Sequence, residues 1–335
     1  WASGKTLDNR LVLRTQLRPD SLPSRGPMTL CGYQEQITLD HKQEWELYHN
    51  SFSLCSKKLR VCMAELELPY RDHHVHLIET GSYENVGRDY LAVNPAGLLP
   101  VLIHKGHPIY ESHDQIIYAA AQAGDRGAEL LPEASELRAE VERWIDCASM
   151  VGDPIKGSEA RAGHCVPALT VPIFATMVSH IATREILKGL LTHPNKERPI
   201  IFLLLKAFGI KRLPKLNPVM KMLARSRTHM GEHLDRLDEQ LAKHGGPWIT
   251  GERFTLADVS WMVILDRLTE ADWHDYFWGG GSRPELGAYW KRLTERDSYR
   301  EQVFEKRCPM TLLGIEEVKR AKQNSESLRA ALEGR

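Results

Sequence analysis

Glu46-Leu-Tyr-His-Asn-Ser-Phe-Ser-Leu-Cys55-Ser56-Lys-Lys-Leu-Arg60 holds a strand, a turn and the opening of a helix. Trp45 to His49 alternate as a short strand does. Ser51 to Cys55 form the turn. Leu59, Cys62, Met63 and Leu66 then recur at i, i+3, i+4 and i+7, one face of a helix that Pro69 ends. Cys55 therefore falls at a helix start, where unpaired backbone N–H groups and the helix dipole favour an anion. A thiolate is stabilised there. Lys57, Lys58 and Arg60 add positive potential, and the Ser56 hydroxyl can donate to a sulfur anion. The competing reading is a small buried cysteine, and the local sequence leaves both open.

Downstream, residues 70–77 alternate again as a second strand, and a short helical segment is expected near 83–91. Asn94-Pro95-Ala96-Gly97 is a turn signal. Leu98–Ile103 read as a strand holding Pro100, which inside a strand marks an edge or an irregularity. Gly106-His107 turn the chain into a fourth strand, 108–110, and Glu111-Ser112 open a helix through Ala121. This β-α-β-α-β-β-α order predicts one α/β layer over 45–124. Gly124 to Pro132 read as a linker and everything beyond as helix. Thr255-Leu-Ala-Asp258 has the spacing of a capping box. The domains expected are a flexible extension (1–44), the α/β domain (45–124), an all-helical domain (132–307) with a long insertion around 150–225, and a charged tail (308–335).

Bulk properties bound the function. With 335 residues the chain has room for two domains. Its 44 basic and 44 acidic residues give no nucleic-acid footprint. Six scattered cysteines without a CxxC pair suit a reducing, cytoplasmic compartment. The first 40 residues lack an apolar signal core, so a secretory signal is not expected; Arg10, Arg14, Arg18 and Arg25 sit among acids, and Met28 is a candidate start. Val166–Val178 and Pro199–Ile210 are apolar but shorter than the roughly 20 residues of a spanning helix. They read as buried helices or a pocket wall, with membrane contact the lesser reading.

Two further features join Cys55. A cis bond at Leu99-Pro100 would turn the Leu99 N–H and C=O toward a peptide lying alongside. Ser112, at a helix N-terminus, suits a ligand carboxylate, and Glu111 suits a ligand ammonium; plain capping explains the pair equally well. A thiol-reactive position, a peptide clamp and an amino-acid reader together match γ-glutamyl-cysteinyl-glycine. His73, His74 and His76 cluster on a strand, but a metal site there lacks a third ligand, and no metal is expected. Trp273, Tyr276 and Phe277 could wall an aromatic pocket or simply pack.

Residues 45 to about 305 resemble the glutathione transferase superfamily, on the segment 46–60, on Asn94-Pro95-Ala-Gly-Leu-Leu99-Pro100-Val-Leu, on Tyr110-Glu111-Ser112 and on Thr255-Leu-Ala-Asp258-Val. The resemblance implies a thioredoxin-like first domain and glutathione as cosubstrate held by Leu99, Pro100, Glu111 and Ser112. The Ser-Leu-Cys-Ser stretch is most similar to the tetrachlorohydroquinone reductive dehalogenases and their zeta-like relatives. This implies Cys55 as nucleophile with Ser56 assisting, Ser53 or Tyr48 as fallback activators, and an aromatic or quinone-like substrate. Reductive dehalogenation, ether cleavage and deglutathionylation fit, and a homodimer is implied. The alternatives are serine-type conjugation or isomerisation, and a non-enzymatic adaptor or membrane-associated member. The length of 150–225 departs from most members. Glutathionyl-hydroquinone reductases share it, yet their Cys-Pro-Trp motif is absent here.

Overall fold

The computed structural model describes residues 30–153, 156–193 and 196–335. The arginines at 10–25 and Met28 lie outside these residues. The first domain runs β1 (Gly32–Tyr33), β2 (Trp45–His49), α1 (Leu54–Glu65), β3 (Arg71–His74), α2 (Arg88–Val93), β4 (Val101–His104), β5 (His107–Tyr110) and α3 (Ser112–Gln122). The strands form one sheet in the order β1-β5-β4-β2-β3, with β2 and β3 parallel and the other pairs antiparallel. Leu47, Leu102 and Ile109 bury on the side of α1 and α3, beside Leu59, Met63 and Ile116; Val101, Ile103 and Tyr110 bury on the other. Strands covered on both faces lose the apolar–polar alternation, which is why β4 (Val-Leu-Ile-His) is buried throughout.

The helical part follows as α4 (Gly124–Leu130), α5 (Ser135–Cys147), α6 (Val166–Leu169), α7 (Val171–Met177), α8 (Thr183–Thr192), α9 (Glu197–Arg212), α10 (Asn217–His244), α11 (Leu256–Glu270), α12 (His274–Phe277), α13 (Pro284–Thr294), α14 (Asp297–Tyr299), α15 (Pro309–Gln323) and α16 (Glu326–Glu333). The spine is α11, buried nearly all round. Its start is the expected capping box: the Thr255 and Asp258 side chains satisfy each other's backbone N–H groups. Asp258 also accepts from Tyr289 Oη at 2.9 Å and from Ile249 N at 3.0 Å. One packing face of α11 meets α1, which joins the two domains.

Several boundaries differ from the sequence reading. The extension, expected to be flexible over 1–44, is structured from residue 30. Gln34 N and Leu39 N donate to Pro108 O and Gly106 O, and Leu30, Ile37 and Leu39 pack on the outer sheet face. β1 has only two residues, too few for a period to show. The linker at 124–132 is the helix α4. The tail at 308–335 is α15 and α16, which pack on α7 and α10. Ala162–His180 is, by length and composition, apolar enough to span a membrane, but 83% of that window is buried inside the protein. It is a core segment, as its buried Ile173, Ala175 and Met177 show.

Candidate functional site

The turn before α1 is built by Asn50, which sequence reasoning passed over. Its Oδ1 accepts from Phe52 N at 3.0 Å and Ser53 N at 3.2 Å, and its Nδ2 donates to Val75 O and Thr80 Oγ1, both at 2.9 Å. Its own N–H donates to Ser56 Oγ at 3.1 Å. Ser56 is fully buried. Its oxygen accepts the Asn50 N–H and so helps to hold the turn. Ser53 is the N-cap of α1, accepting from Ser56 N, and remains half-buried.

Cys55 is the second residue of α1, within the turn of unpaired N–H groups. It is half-buried, and its sulfur lies 4.0 Å from Met150 Sδ, just beyond α5. It therefore sits at the seam between the domains and is not sealed inside either.

The three basic residues after Cys55 divide into different duties. Lys57 is buried and bonds Asp266 at 2.7 Å and Glu270 at 2.6 Å on α11. Arg60 is buried and donates to Gln302 O, His49 Nδ1 and the Asn50 carbonyl at 2.9–3.0 Å. Neither supplies free potential to the sulfur. Lys58 does. It is buried, lies one turn on from Cys55, and donates to His113 Nδ1 at 2.8 Å. Burial lowers its ammonium's pKa, and the neighbouring Glu111 and Asp114 carboxylates oppose that shift in part. As a cation, Lys58 is a local positive centre between the starts of α1 and α3.

The other half of the site is the start of α3. Glu111 is its N-cap with φ 65° and ψ 122°, a conformation that non-glycine residues rarely hold. Backbone strain of this kind persists where surrounding structure imposes it and is concentrated at ligand sites. Burial, then the neighbouring Asp114, raise the Glu111 carboxyl, and Lys58 counteracts them. Ser112 follows, buried. The Leu99-Pro100 bond is cis. The carbonyls flanking Leu99 are taken: Leu98 O by Tyr90 Oη and Asn94 Nδ2, Pro100 O by Gln115 Nε2. Gln115 also bonds Ile109 O at 2.8 Å, so α3 braces the cis-proline segment. The β4 ladder starts at Val101, leaving Leu99 outside it.

Two family models match the chain: the glutathione S-transferase N-terminal domain over residues 52–122 and its C-terminal domain over 223–292. The chain belongs to the glutathione transferase superfamily. Tetrachloro-p-hydroquinone reductive dehalogenase of Sphingobium chlorophenolicum is 26% identical over 258 residues, 76% of this chain and 94% of that protein. Human ganglioside-induced differentiation-associated protein 1-like 1 is also 26% identical, over 76% of this chain and 72% of its own. The β-etherase LigF of Sphingobium sp. strain SYK-6 superposes with a TM-score of 0.62 at 20% identity, covering 79% of this chain and all of that one; it shows the shared fold.

Two expected pocket residues of this transferase-family chain are core. Trp273 and Phe277 are almost fully buried, and Trp273 Nε1 donates to Leu169 O at 2.8 Å. Tyr276 has the Arg227 and Arg335 guanidiniums within 6 Å of its ring centre, at 5.9 and 5.7 Å, in a cleft of about 190 Å³ rimmed by Asp272, Asp275 and Lys319. A cleft of charges suits no apolar substrate. The aromatic run resembles a pocket in sequence because core and pocket walls use the same residues. Of the histidines, His73 bonds Glu46 at 2.6 Å and stacks on Tyr48, while the His74 and His76 rings meet edge to face. No three metal-ligating side chains gather among the described residues.

Proposed function

We propose that this chain is a glutathione-dependent thioltransferase acting on an aromatic or quinone-like electrophile through Cys55. The observation that carries the reading is a half-exposed cysteine in the first turn of α1, one turn from a buried lysine bonded to the helix that starts with Glu111-Ser112. The family, and a relative named as a reductive dehalogenase, support an enzyme that uses glutathione as cosubstrate.

In the proposed reaction the glutathione thiolate displaces a leaving group from the electrophilic carbon, forming a carbon–sulfur bond. The Cys55 thiolate then attacks that sulfur. The carbon keeps the bonding electron pair and takes a proton, so the substrate is reduced, and Cys55 is left in a mixed disulfide with glutathione. A second glutathione thiolate exchanges with it, releasing glutathione disulfide and restoring Cys55. Leu99, Glu111 and Ser112 hold the tripeptide. A cytoplasmic site and a homodimer complete the proposal; the six free cysteines suit a reducing compartment.

Ser53 offers the second reading. Its half-buried hydroxyl caps α1, where it could activate glutathione for simple conjugation. Mass spectrometry after incubation with glutathione disulfide separates the two. A glutathionyl adduct on Cys55, absent in Cys55→Ala, supports thioltransfer. A Cys55→Ala protein that still turns over substrate to a stable thioether at the wild-type rate sinks it in favour of Ser53.

A further inference from the structure

α8 and α9 bury one face and leave an aliphatic face outside. On α8, Ile186 and Gly189 are buried. Gly189 approaches the Tyr83 ring so closely that a Cβ there would lie 2.5 Å from it, so this face is fixed to the first domain. The other face carries Leu187 and Leu191, the latter 84% exposed. On α9, Phe202 and Leu205 point inward, while Ile200, Ile201 and Leu204 are each nearly half exposed. Ile201 and Leu204 continue into an open groove of about 570 Å³ whose other wall includes Leu216, Val219 and Met222. Ile201 and Leu204 with that wall form a contiguous exposed apolar surface, of the kind that marks an interaction site.

Charge identifies the partner. From Arg184 to Arg227 there are eleven Lys or Arg and two Asp or Glu, in a chain whose total charge is zero. Lys211, Arg212, Lys215 and Lys221 are exposed and make no ion pair among the described residues. Lys221 and Arg225 line the groove itself. A second copy of the chain would bring the same positive face and be repelled. Protein interfaces are depleted in lysine and rich in aromatics at their centre; here the exposed residues are leucine and isoleucine among lysines. Aliphatic side chains ringed by long cationic ones, which keep their heads in water, make up a face that lies in a lipid headgroup layer.

We propose that the α8–α9 face docks on an anionic lipid bilayer. Leu191, Ile201 and Leu204 enter the headgroup–acyl boundary, and Lys211, Lys215 and Lys221 meet lipid phosphates. The proposal is independent of the Cys55 chemistry. The test is co-sedimentation of the full chain with phosphatidylcholine vesicles, with and without about one-third phosphatidylserine. The expected result is roughly tenfold more bound protein on the anionic vesicles, falling to the neutral level in about 0.5 M salt. A Leu191→Glu/Ile201→Glu/Leu204→Glu variant should melt like the wild type yet stay in the supernatant, and Lys211→Glu/Lys215→Glu should bind weakly. Equal recovery with both vesicle types overturns the proposal. So does an unchanged triple variant, or a wild-type dimer, seen by light scattering, that the triple variant splits while vesicle binding persists.

Discussion

Lys58 Nζ donates to His113 Nδ1 at 2.8 Å, tying the helix that carries Cys55 to the helix that begins with Glu111 and Ser112. The ring nitrogen must accept, so His113 is neutral and the positive charge stays on Lys58. That charge lies on the Cys55 side of α1, three residues along. Replacing it by Lys58→Met should slow alkylation of Cys55 by iodoacetamide at neutral pH about tenfold, the effect of losing one buried positive charge beside a reactive sulfur. Lys58→Arg should retain most of the rate. Equal rates in all three proteins would show that the helix end alone sustains the sulfur's reactivity.

The same contact gives a pH dependence with a fixed sign. Burial, then the Lys58 charge, hold the His113 imidazole at about 2, against 6.5 for an ordinary histidine. Below pH 6.5 the unfolded chain binds a proton that the folded one refuses. Stability from this group is therefore complete above about 6.5 and is lost as pH falls toward 2. At pH 5.5 the loss is about 1.4 kcal/mol. His113→Asn can still accept from Lys58 and does not titrate. Urea unfolding at pH 7.5 and 5.5 should show a smaller drop in the variant by about that amount; identical drops would refute the assignment.

The two domains are joined by a buried ionic cluster. Lys57 bonds Asp266 and Glu270, Arg307 reaches both carboxylates, and Arg267 bonds Glu270 at 3.0 Å. Burial opposes ionisation of Asp266, yet the Lys57 and Arg307 charges hold its carboxyl below the usual carboxylate range. Removing one member leaves buried charge uncompensated. Asp266→Asn should cost about 3–5 kcal/mol, read as a lowered urea midpoint. A loss under about 1 kcal/mol would mean that water enters the seam and screens the cluster.

The first domain was legible because its signals are local. A turn, a helix stripe and alternating strands fall within short windows, and Cys55, Leu99-Pro100 and Glu111-Ser112 stand where those windows end. The errors have a common cause, since each depended on partners distant in sequence. Lys57 reads as surface potential until Asp266, over two hundred residues on, is placed beside it. β1 has no pattern of its own and exists because β5 offers an open edge. In the helical half, apolar stripes announce helices but not which of them face a ligand, so Trp273 and Phe277 could not be told from a pocket wall.

Glu111 separates stability from binding most sharply. Its φ of 65° with ψ of 122° lies outside the conformations that side-chain-bearing residues favour. Holding it costs on the order of 1–3 kcal/mol. Glycine removes that cost but loses more entropy on folding, about 0.5–1 kcal/mol, so Glu111→Gly should melt at or slightly above the wild-type temperature. Glycine also removes the carboxylate proposed to meet the γ-glutamyl ammonium. An ionic hydrogen bond of this kind contributes about 1.5–3 kcal/mol, so glutathione affinity should fall roughly ten- to hundredfold by calorimetry. Glu111→Gln keeps the strain and a hydrogen-bonding oxygen, and should bind between the two without gaining stability. A glycine variant that binds glutathione as tightly as the wild type would remove Glu111 from the site. One that loses several kcal/mol would show that the backbone here serves the fold rather than the ligand.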